Sequence, residues 1–349
     1  MPFVLPMLAK PVAVIPLGRL YEPKWDGFRS IIFRDGDEVE IGSRNERPMT
    51  RYFPELVAAF KTELPERCVV DGEIVVTADG GLDFEALQQR IHPAASRVAL
   101  LSTQTPASFI AFDLLAADDE DLTGQPFAQR RARLEEVLRQ ARPPVHVTPV
   151  TTDREVALSW FEQFEGAGLD GIVAKPLDGV YEQDKRVMYK IKHVRTADCV
   201  VAGYRLHKSG PDRIGSLLLG LHTAEGSLAS VGVIGAFPMA ERQALFTELQ
   251  SLVTTFDEHP WNWAKLFEGV ANPRNYEGSR WNAGKDLSFV PLRPERVVEV
   301  RYDHMEGARF RHTAQFVRWR PDRTPASCTF AQLDEPPSYD LNDILPGLR

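Results

Sequence analysis

The segment Val69-Val70-Asp71-Gly72-Glu73-Ile74-Val75-Val76 constrains the fold more than any other part of the 349-residue chain. β-Branched residues lie on both sides of its two carboxylates. Residues 68–77 therefore read as one continuous strand rather than as a hairpin turning at Asp71-Gly72. The rest of the run is apolar, and a carboxylate held inside it requires a cationic partner or a metal. The chain has to form a sheet that brings positive charge to the middle of this strand.

The neighbouring patterns supply such a sheet. Residues 29–34 and 38–43 flank Asp35-Gly36, a hairpin dipeptide. Phe53, Leu56, Val57, Phe60 and Leu64 fall at helical spacing over 52–64. Strands are predicted over 108–115, 171–175 and 186–192. Amphipathic helices are predicted over 127–139 and 155–165, the second capped by Thr152 or Asp153. This is an α+β pattern with antiparallel hairpins, not a βαβ repeat. From about residue 197 the texture changes. Short strands are predicted over 199–205, 216–222, 228–234, 288–291, 297–302 and 309–316, with one helix over 240–253. Five or so strands around one inserted helix suit a β-barrel of the OB type. The expected domains are 1–195 and 196–349, the second ending in a Pro-rich, acidic strap from Asp334.

Composition narrows the class. With 43% hydrophobic and 26% charged residues the chain is of the ordinary folded, soluble kind. Cys68, Cys199 and Cys328 show no metal-ligand spacing, and an odd thiol count fits a reducing cytoplasm. Residues 1–20 are apolar, but they lack a basic leader and carry Pro2, Pro6, Pro11 and Pro16, which argues against a signal peptide. No apolar run reaches the ~18 residues of a membrane span, so no membrane partner is expected. The 41 basic and 49 acidic residues give a net charge of −8, which argues weakly against a phosphate-rich partner. The acids, however, concentrate in 113–121 and after 334, whereas 185–213 and 293–323 carry a basic excess. Those two regions are where nucleic-acid phosphates would lie.

Four segments carry chemistry. Glu22-Pro23-Lys24-Trp25-Asp26-Gly27-Phe28-Arg29 places a lysine at the mouth of a strand, beside an acid and a glycine turn. Such an amine is a nucleophile once it loses its proton, which takes desolvation or neighbouring positive charge. From the octapeptide alone, a surface turn pairing Lys24 with Asp26 reads almost as well. The Asp71-Gly72-Glu73 strand is the second segment. Asp170-Gly171-Ile172-Val173-Ala174-Lys175 is the third, an acid and a lysine at the two ends of an apolar strand. Met188-Tyr189-Lys190-Ile191-Lys192 puts two lysines on one face of a strand. Together they weigh far more than any one alone.

These four segments resemble motifs I, III, IV and V of the covalent nucleotidyltransferases, the superfamily of ATP-dependent DNA ligases, RNA ligases and mRNA-capping enzymes. Ser43-Arg44-Asn45 is similar to the intervening motif that contacts the nick phosphate. Phe109-Ile110-Ala111-Phe112-Asp113 is similar to motif IIIa. Arg318-Trp319-Arg320-Pro321-Asp322-Arg323 is similar to motif VI of the OB domain. The resemblance spans about residues 5–330 and is closest to the ATP-dependent DNA ligases of the compact bacterial LigC type. It implies an adenylation (nucleotidyltransferase) domain with antiparallel sheets followed by a β-barrel OB-fold domain.

The resemblance also implies roles. Lys24 would attack the α-phosphate of ATP. Glu22 would read the adenine edge, and Arg29 and Glu73 would hold the ribose. Phe112 would stack on the base, with Val173 on its other face. Arg44 would meet the nick phosphate. Lys175, Lys190 and Lys192 would contact the α-phosphate. Glu73 and Asp170 would bind Mg²⁺ or Mn²⁺, and Arg320, Asp322 and Arg323 would orient the departing pyrophosphate. Two positions depart from the family pattern: Asp170 stands where Glu is usual, and Arg323 where Lys is usual. The expected partner is nicked duplex DNA, engaged by a monomer in the cytoplasm at the nucleoid, with delivery by a Ku-type end binder or a repair polymerase. The alternatives are an RNA ligase or GTP-dependent guanylyltransferase, and a non-catalytic OB-type nucleic-acid binder. His92, Trp261-Asn262-Trp263 and the aromatic-basic stretch 275–285 are weaker candidates for ligand or DNA contact.

Overall fold

The carboxylate-bearing run forms the strand Arg67–Val75, inside a six-stranded sheet of the first of two units into which the chain divides. The computed structural model describes residues 4–44, 47–262, 288–333 and 338–348. The first unit comprises Met1–His193 and Pro336–Arg349, and the second Val194–Glu335.

The strands of the first unit are β1 (Leu8–Pro11), β2 (Leu20–Pro23), β3 (Phe28–Asp35), β4 (Glu38–Ser43), β5 (Arg67–Val75), β6 (Thr77–Ala78), β7 (Gly81–Leu82), β8 (Ser108–Ala117), β9 (Glu120–Asp121), β10 (Val145–Val147), β11 (Ile172–Lys175) and β12 (Arg186–Ile191). Its helices include α1 (Pro54–Glu63), α2 (Phe84–Gln89), α3 (Ala95–Gln104), α4 (Phe127–Val137) and α5 (Arg154–Gln163). The large sheet runs β10-β8-β5-β3-β4, with β9 added to β8; a four-stranded sheet runs β1-β12-β11-β2. Strand alternation explains how they pack. Ile32, Val70 and Leu114 face Leu56 and Phe60 of α1. Their neighbours Ile31, Val69 and Leu115 face the other way and share a core with Met188 and Val173 of the smaller sheet. The outer face of that smaller sheet, with Tyr21, Ile172, Ala174 and Ile191, packs on Ala157 of α5. The rest of the space between the two sheets is left for the polar side chains described below.

Several local expectations hold. Gly36 takes φ 60° in the β3–β4 hairpin, and the Asp153 side chain caps α5 by accepting from Glu155 N. The helices α2 and α3 were not expected. α2 has six residues, and α3 buries little besides Val98 and Leu101, so neither presents a strong apolar stripe. His92 makes a local polar contact: its Nδ1 accepts from Ala94 N, just before α3.

The second unit contains β13 (Arg195–His207), β14 (Gly210–His222), β15 (Leu228–Ile234), α6 (Met239–Leu249), β16 (Val290–Tyr302), β17 (Met305–Glu306), β18 (Arg309–Phe310) and β19 (Gln315–Trp319). Its five-stranded sheet has the order β15-β14-β13-β16-β19. A parallel bridge between Ile234 and Ala314, with Ala314 N donating to Val233 O at 2.9 Å, closes the two ends. Strand order, closure and the placement of α6 between β15 and β16 make this a small OB-type barrel. The strands expected over 288–291 and 297–302 are one strand, β16. Val201 pairs with Arg296 but Gly203 pairs with Pro291, so residues 292–295 stand opposite Ala202 alone. Pro294, which has no N–H to donate, sits in that bulge. The strand expected over 309–316 is divided, because Gly307 at φ 57° makes a separate β17–β18 hairpin. Trp261 is a buried anchor whose Nε1 donates to Leu228 O at 2.7 Å. Trp263 and the stretch 275–285 lie outside the described residues.

The C-terminal tail belongs to the first unit, not to the second as expected. It forms α7 (Leu341–Ile344) and buries Leu341, Ile344 and Leu348 in a cluster with Trp25, Val75 and Phe164. Apolar residues spaced among the acids give the tail a face to bury, which its overall acidity conceals. No helix among the described residues is long and apolar enough to cross a membrane.

Gly72 has no room for a side chain: a Cβ there would lie 2.3 Å from Phe109 Cζ and 2.5 Å from Ile110 O. Gly72→Ala is expected to cost about 1–3 kcal/mol through overpacking. Thermal unfolding checks this, and an unchanged Tm would contradict the packing described.

Candidate active site

Lys24 follows β2 directly and is stitched to the segment leading into β11. Its N–H donates to Gly171 O (2.8 Å), and Asp170 N donates to Lys24 O (2.9 Å). These bonds continue the antiparallel β2–β11 ladder, in which Pro23 pairs with Ile172. Gly171 has φ 125°, and a Cβ there would fall 2.0 Å from Ile191 O, so only glycine fits. The result is a short ion cluster. Asp170 Oδ2 lies 2.5 Å from Lys24 Nζ and 2.8 Å from Lys192 Nζ. The partner of Lys24 is thus Asp170, and the shorter aspartate reaches the lysine directly. Lys190 lines the same cavity as Lys24; burial, then Lys192 and Lys24, lower its pKa.

The cavity between the sheets measures ≈ 310 Å³. Glu22, Lys24, Arg29, Arg44, Glu73 and Phe112 reach it, as do Val173, Lys175 and Lys190. Arg44 is exposed, just beyond β4. At one end Glu22, 3% exposed, pairs through Oε2 with Lys175 Nζ at 2.7 Å. Its Oε1 is buried without a hydrogen-bond partner and faces Arg131 NH1 across 3.9 Å. Burial lowers the pKa of Lys175, against the pull of Glu22 and Asp113. The Phe112 ring lies 4.4 Å from the Arg29 guanidinium and 4.6 Å from Lys175 Nζ. Lys175 therefore groups with Glu22 and Phe112 and lines the same cavity as Lys24 and Lys190. It sits at the far end of β11 from Gly171, and its charge is engaged by Glu22.

The carboxylates of β5 find different surroundings. Asp71, fully buried, accepts from Arg29 Nε (2.5 Å) and NH2 (2.6 Å) and from the Tyr181 hydroxyl (2.7 Å). This is the cationic partner that the strand required. Burial alone would weaken the charge on Arg29, but Asp71 more than offsets it and the pKa is raised. Glu73 projects to the cavity, where burial pushes its carboxyl up to about 7 against the pull of Arg29 and Lys24. Asp71, Tyr181 and Arg131 were not among the predicted site residues. The β5 pattern flagged Asp71, whereas Tyr181 and Arg131 carry no local signal.

Arg320, Asp322 and Arg323 lie in the second unit and form an ion network there. Arg320 NH1 bonds both Asp198 oxygens (3.0 and 3.1 Å), and its Nε and NH2 bond Asp322. Arg323 Nε lies 3.3 Å from Asp198 Oδ2. The hydrogen bond from Arg320 holds the Asp322 carboxyl down at about 2.

Among the described residues no three His, Cys, Asp or Glu side chains group into a closed metal site. Two carboxylates, Glu73 and Asp170, each within the influence of Lys24, match instead the donor set of a cation shared with substrate phosphates.

A lysine paired with Asp170 beside Lys192, lining a cavity with Lys190, Glu22 and Phe112 on a chain that also carries an OB barrel, is the arrangement of a covalent nucleotidyltransferase. Residues 6–192 match the family model for the ATP dependent DNA ligase domain, and residues 210–323 that for the ATP dependent DNA ligase C terminal region. The chain is 70% identical to DNA ligase C of Mycobacterium tuberculosis, over 100% of this chain and 99% of that protein. It is 72% identical to DNA ligase C2 of Mycolicibacterium smegmatis, over 97% and 96% of the two. The solved structure of mycobacterial DNA ligase D complexed with ATP and MES is 29% identical, with a TM-score of 0.50, over 93% of this chain and 98% of that one. The chain belongs to the ATP-dependent DNA ligase family and is an ATP-dependent DNA ligase of the compact bacterial type.

Two outcomes follow from this geometry. Glu22→Ala strands the buried ammonium of Lys175 and is expected to cost about 3–5 kcal/mol, as for other broken buried pairs, while Glu22→Gln retains an acceptor and costs less. Denaturant unfolding separates the two. Glu73 has its folded pKa raised to about 7, above its ordinary 4.5. Its contribution to stability is complete below pH 4.5 and is lost as the pH rises through 7. Glu73→Gln should flatten the stability profile between pH 5 and 8; an unchanged slope would contradict the assignment.

Proposed function

We propose that this ligase seals 3′-hydroxyl/5′-phosphate nicks in duplex DNA through a lysyl-AMP formed on Lys24. The observation that carries this reading is the placement of Lys24 Nζ, paired with the Asp170 carboxylate that also pairs with Lys192, at a cavity whose other end offers the buried acceptor Glu22 Oε1. In the first step the Lys24 nitrogen bonds the α-phosphorus and the bond to pyrophosphate breaks. AMP then passes to the 5′-phosphate of the nick, and attack by the 3′-hydroxyl joins the strand and releases AMP. Lys190 and Lys192 stabilise charge on the reacting phosphate.

At the base end, Glu22 Oε1 accepts from the 6-amino group of adenine; the 6-oxo group of guanine would oppose it. This favours ATP over GTP and disfavours the guanylyltransferase alternative. Phe112 and Val173 flank the base. Arg29, fixed by Asp71, and Glu73 hold the ribose. Arg44 meets the nick phosphate, and Arg320, Asp322 and Arg323 orient pyrophosphate. Glu73 and Asp170 would hold Mg²⁺ or Mn²⁺, which supplies further neutralisation of phosphate charge. We further propose a monomer acting in bacterial repair, in the cytoplasm at the nucleoid, on nicks or ends delivered by a Ku-type protein or a repair polymerase. The basic excess in 185–213 and 293–323 supports phosphate binding that weakens steeply with salt.

Incubation with α-labelled ATP is expected to label the wild type covalently, GTP to label it poorly, and Lys24→Ala to remain unlabelled. Equal labelling of Lys24→Ala would overturn the nucleophile assignment.

A further inference from the structure

The C-terminal segment packs beneath the segments that carry this chemistry. Leu341, Ile344 and Leu348, each 7% exposed or less, share one apolar cluster with Trp25, Val75, Ile110, Phe164 and Leu169. Trp25 follows Lys24 directly and lines the cavity. Leu169 precedes Asp170. The tail is docked by specific contacts: Leu341 N donates to Gly80 O (2.9 Å), Asp340 caps α7 by accepting from Asn342 N, and the Tyr339 ring lies 5.4 Å from that of Phe164. Trp25 is fixed from another side as well, its Nε1 donating to Thr148 Oγ1 at 2.8 Å.

A close-packed cluster transmits displacement instead of absorbing it. An in-line attack is also sensitive to small misplacement of the nucleophile. Glu22 and Arg29, at the base and ribose ends of the cavity, are held by other contacts, to Lys175 and to Asp71.

We propose that Leu341 and Ile344 are positioning residues for the first chemical step: by filling the space under Trp25 and Leu169 they hold Lys24 and Asp170 in place for attack on the α-phosphate. The proposal rests on the reading of Lys24 as the nucleophile. The tail acts on the rate of Lys24 N–P bond formation and of P–O cleavage to pyrophosphate, and leaves ATP binding to the opposite end of the cavity.

The test uses the full-length chain, with Leu341→Ala/Ile344→Ala and the conservative Ile344→Val. Two reactions are followed: single-turnover labelling by α-labelled ATP over a range of concentrations, and sealing of a pre-adenylated nick, which requires no attack by Lys24. The double variant should label about tenfold more slowly or worse. Its half-saturating ATP and its sealing of the pre-adenylated nick should both stay within about threefold of wild type, and Ile344→Val should behave as wild type. Wild-type labelling by the double variant overturns the proposal. So does parallel loss of labelling and pre-adenylated sealing, which would mark a merely structural tail. Label on Lys24→Ala would sink the nucleophile assignment, whereas wild-type labelling of the double variant beside an unlabelled Lys24→Ala sinks the tail proposal alone.

Discussion

Two reciprocal backbone hydrogen bonds, Lys24 N to Gly171 O and Asp170 N to Lys24 O, set the geometry on which the rest of the site depends. They prolong a β-ladder past its last regular residues and so hold a lysine and a carboxylate from distant parts of the chain at fixed separation. The ladder keeps its path because Gly171 adopts a backbone angle that side chains avoid and leaves space for Ile191 O. Once the two backbones are joined, the Lys24–Asp170–Lys192 contact follows from side-chain length.

Around this stitch, charge is buried in pairs. Arg29 grips Asp71, and Arg130 grips Asp113 through Nε and NH2, both at 2.9 Å. Arg90 does the same with Glu55. Such pairs add little net stability, but losing one partner is costly, so they fix side-chain positions firmly. Against that background Glu22 Oε1 stands out as a buried acceptor with no hydrogen-bond partner, at a cavity that Lys24 also lines.

Much of this was legible in the chain. A β-branched run with two acids in it already demanded a partnered interior strand, and Arg29 proved to be that partner. Asp35-Gly36 specified its hairpin, and Asp153 its helix cap, because both act through local backbone chemistry. Local pattern misled where long-range contacts decide. The runs 288–291 and 297–302 read as two strands, whereas a bulge keeps them one. The acidic tail read as a strap on the second domain, whereas Leu341, Ile344 and Leu348 find their complementary apolar surface on the first. The motif that holds Lys175 does not show that strand geometry pairs it with Glu22.

Consecutive residues carried the residue types of the site and the family to which they belong, because lysines, carboxylates and glycine turns in recognisable local settings are written along the chain. The fold decided which charges meet: Lys24 with Asp170, Asp71 with Arg29 and Tyr181, Glu22 with Lys175 and Arg131. It also decided that the tail lies under Trp25. Those pairings depend on register between segments far apart in the chain, set by packing and by strand-to-strand hydrogen bonds that no single segment encodes.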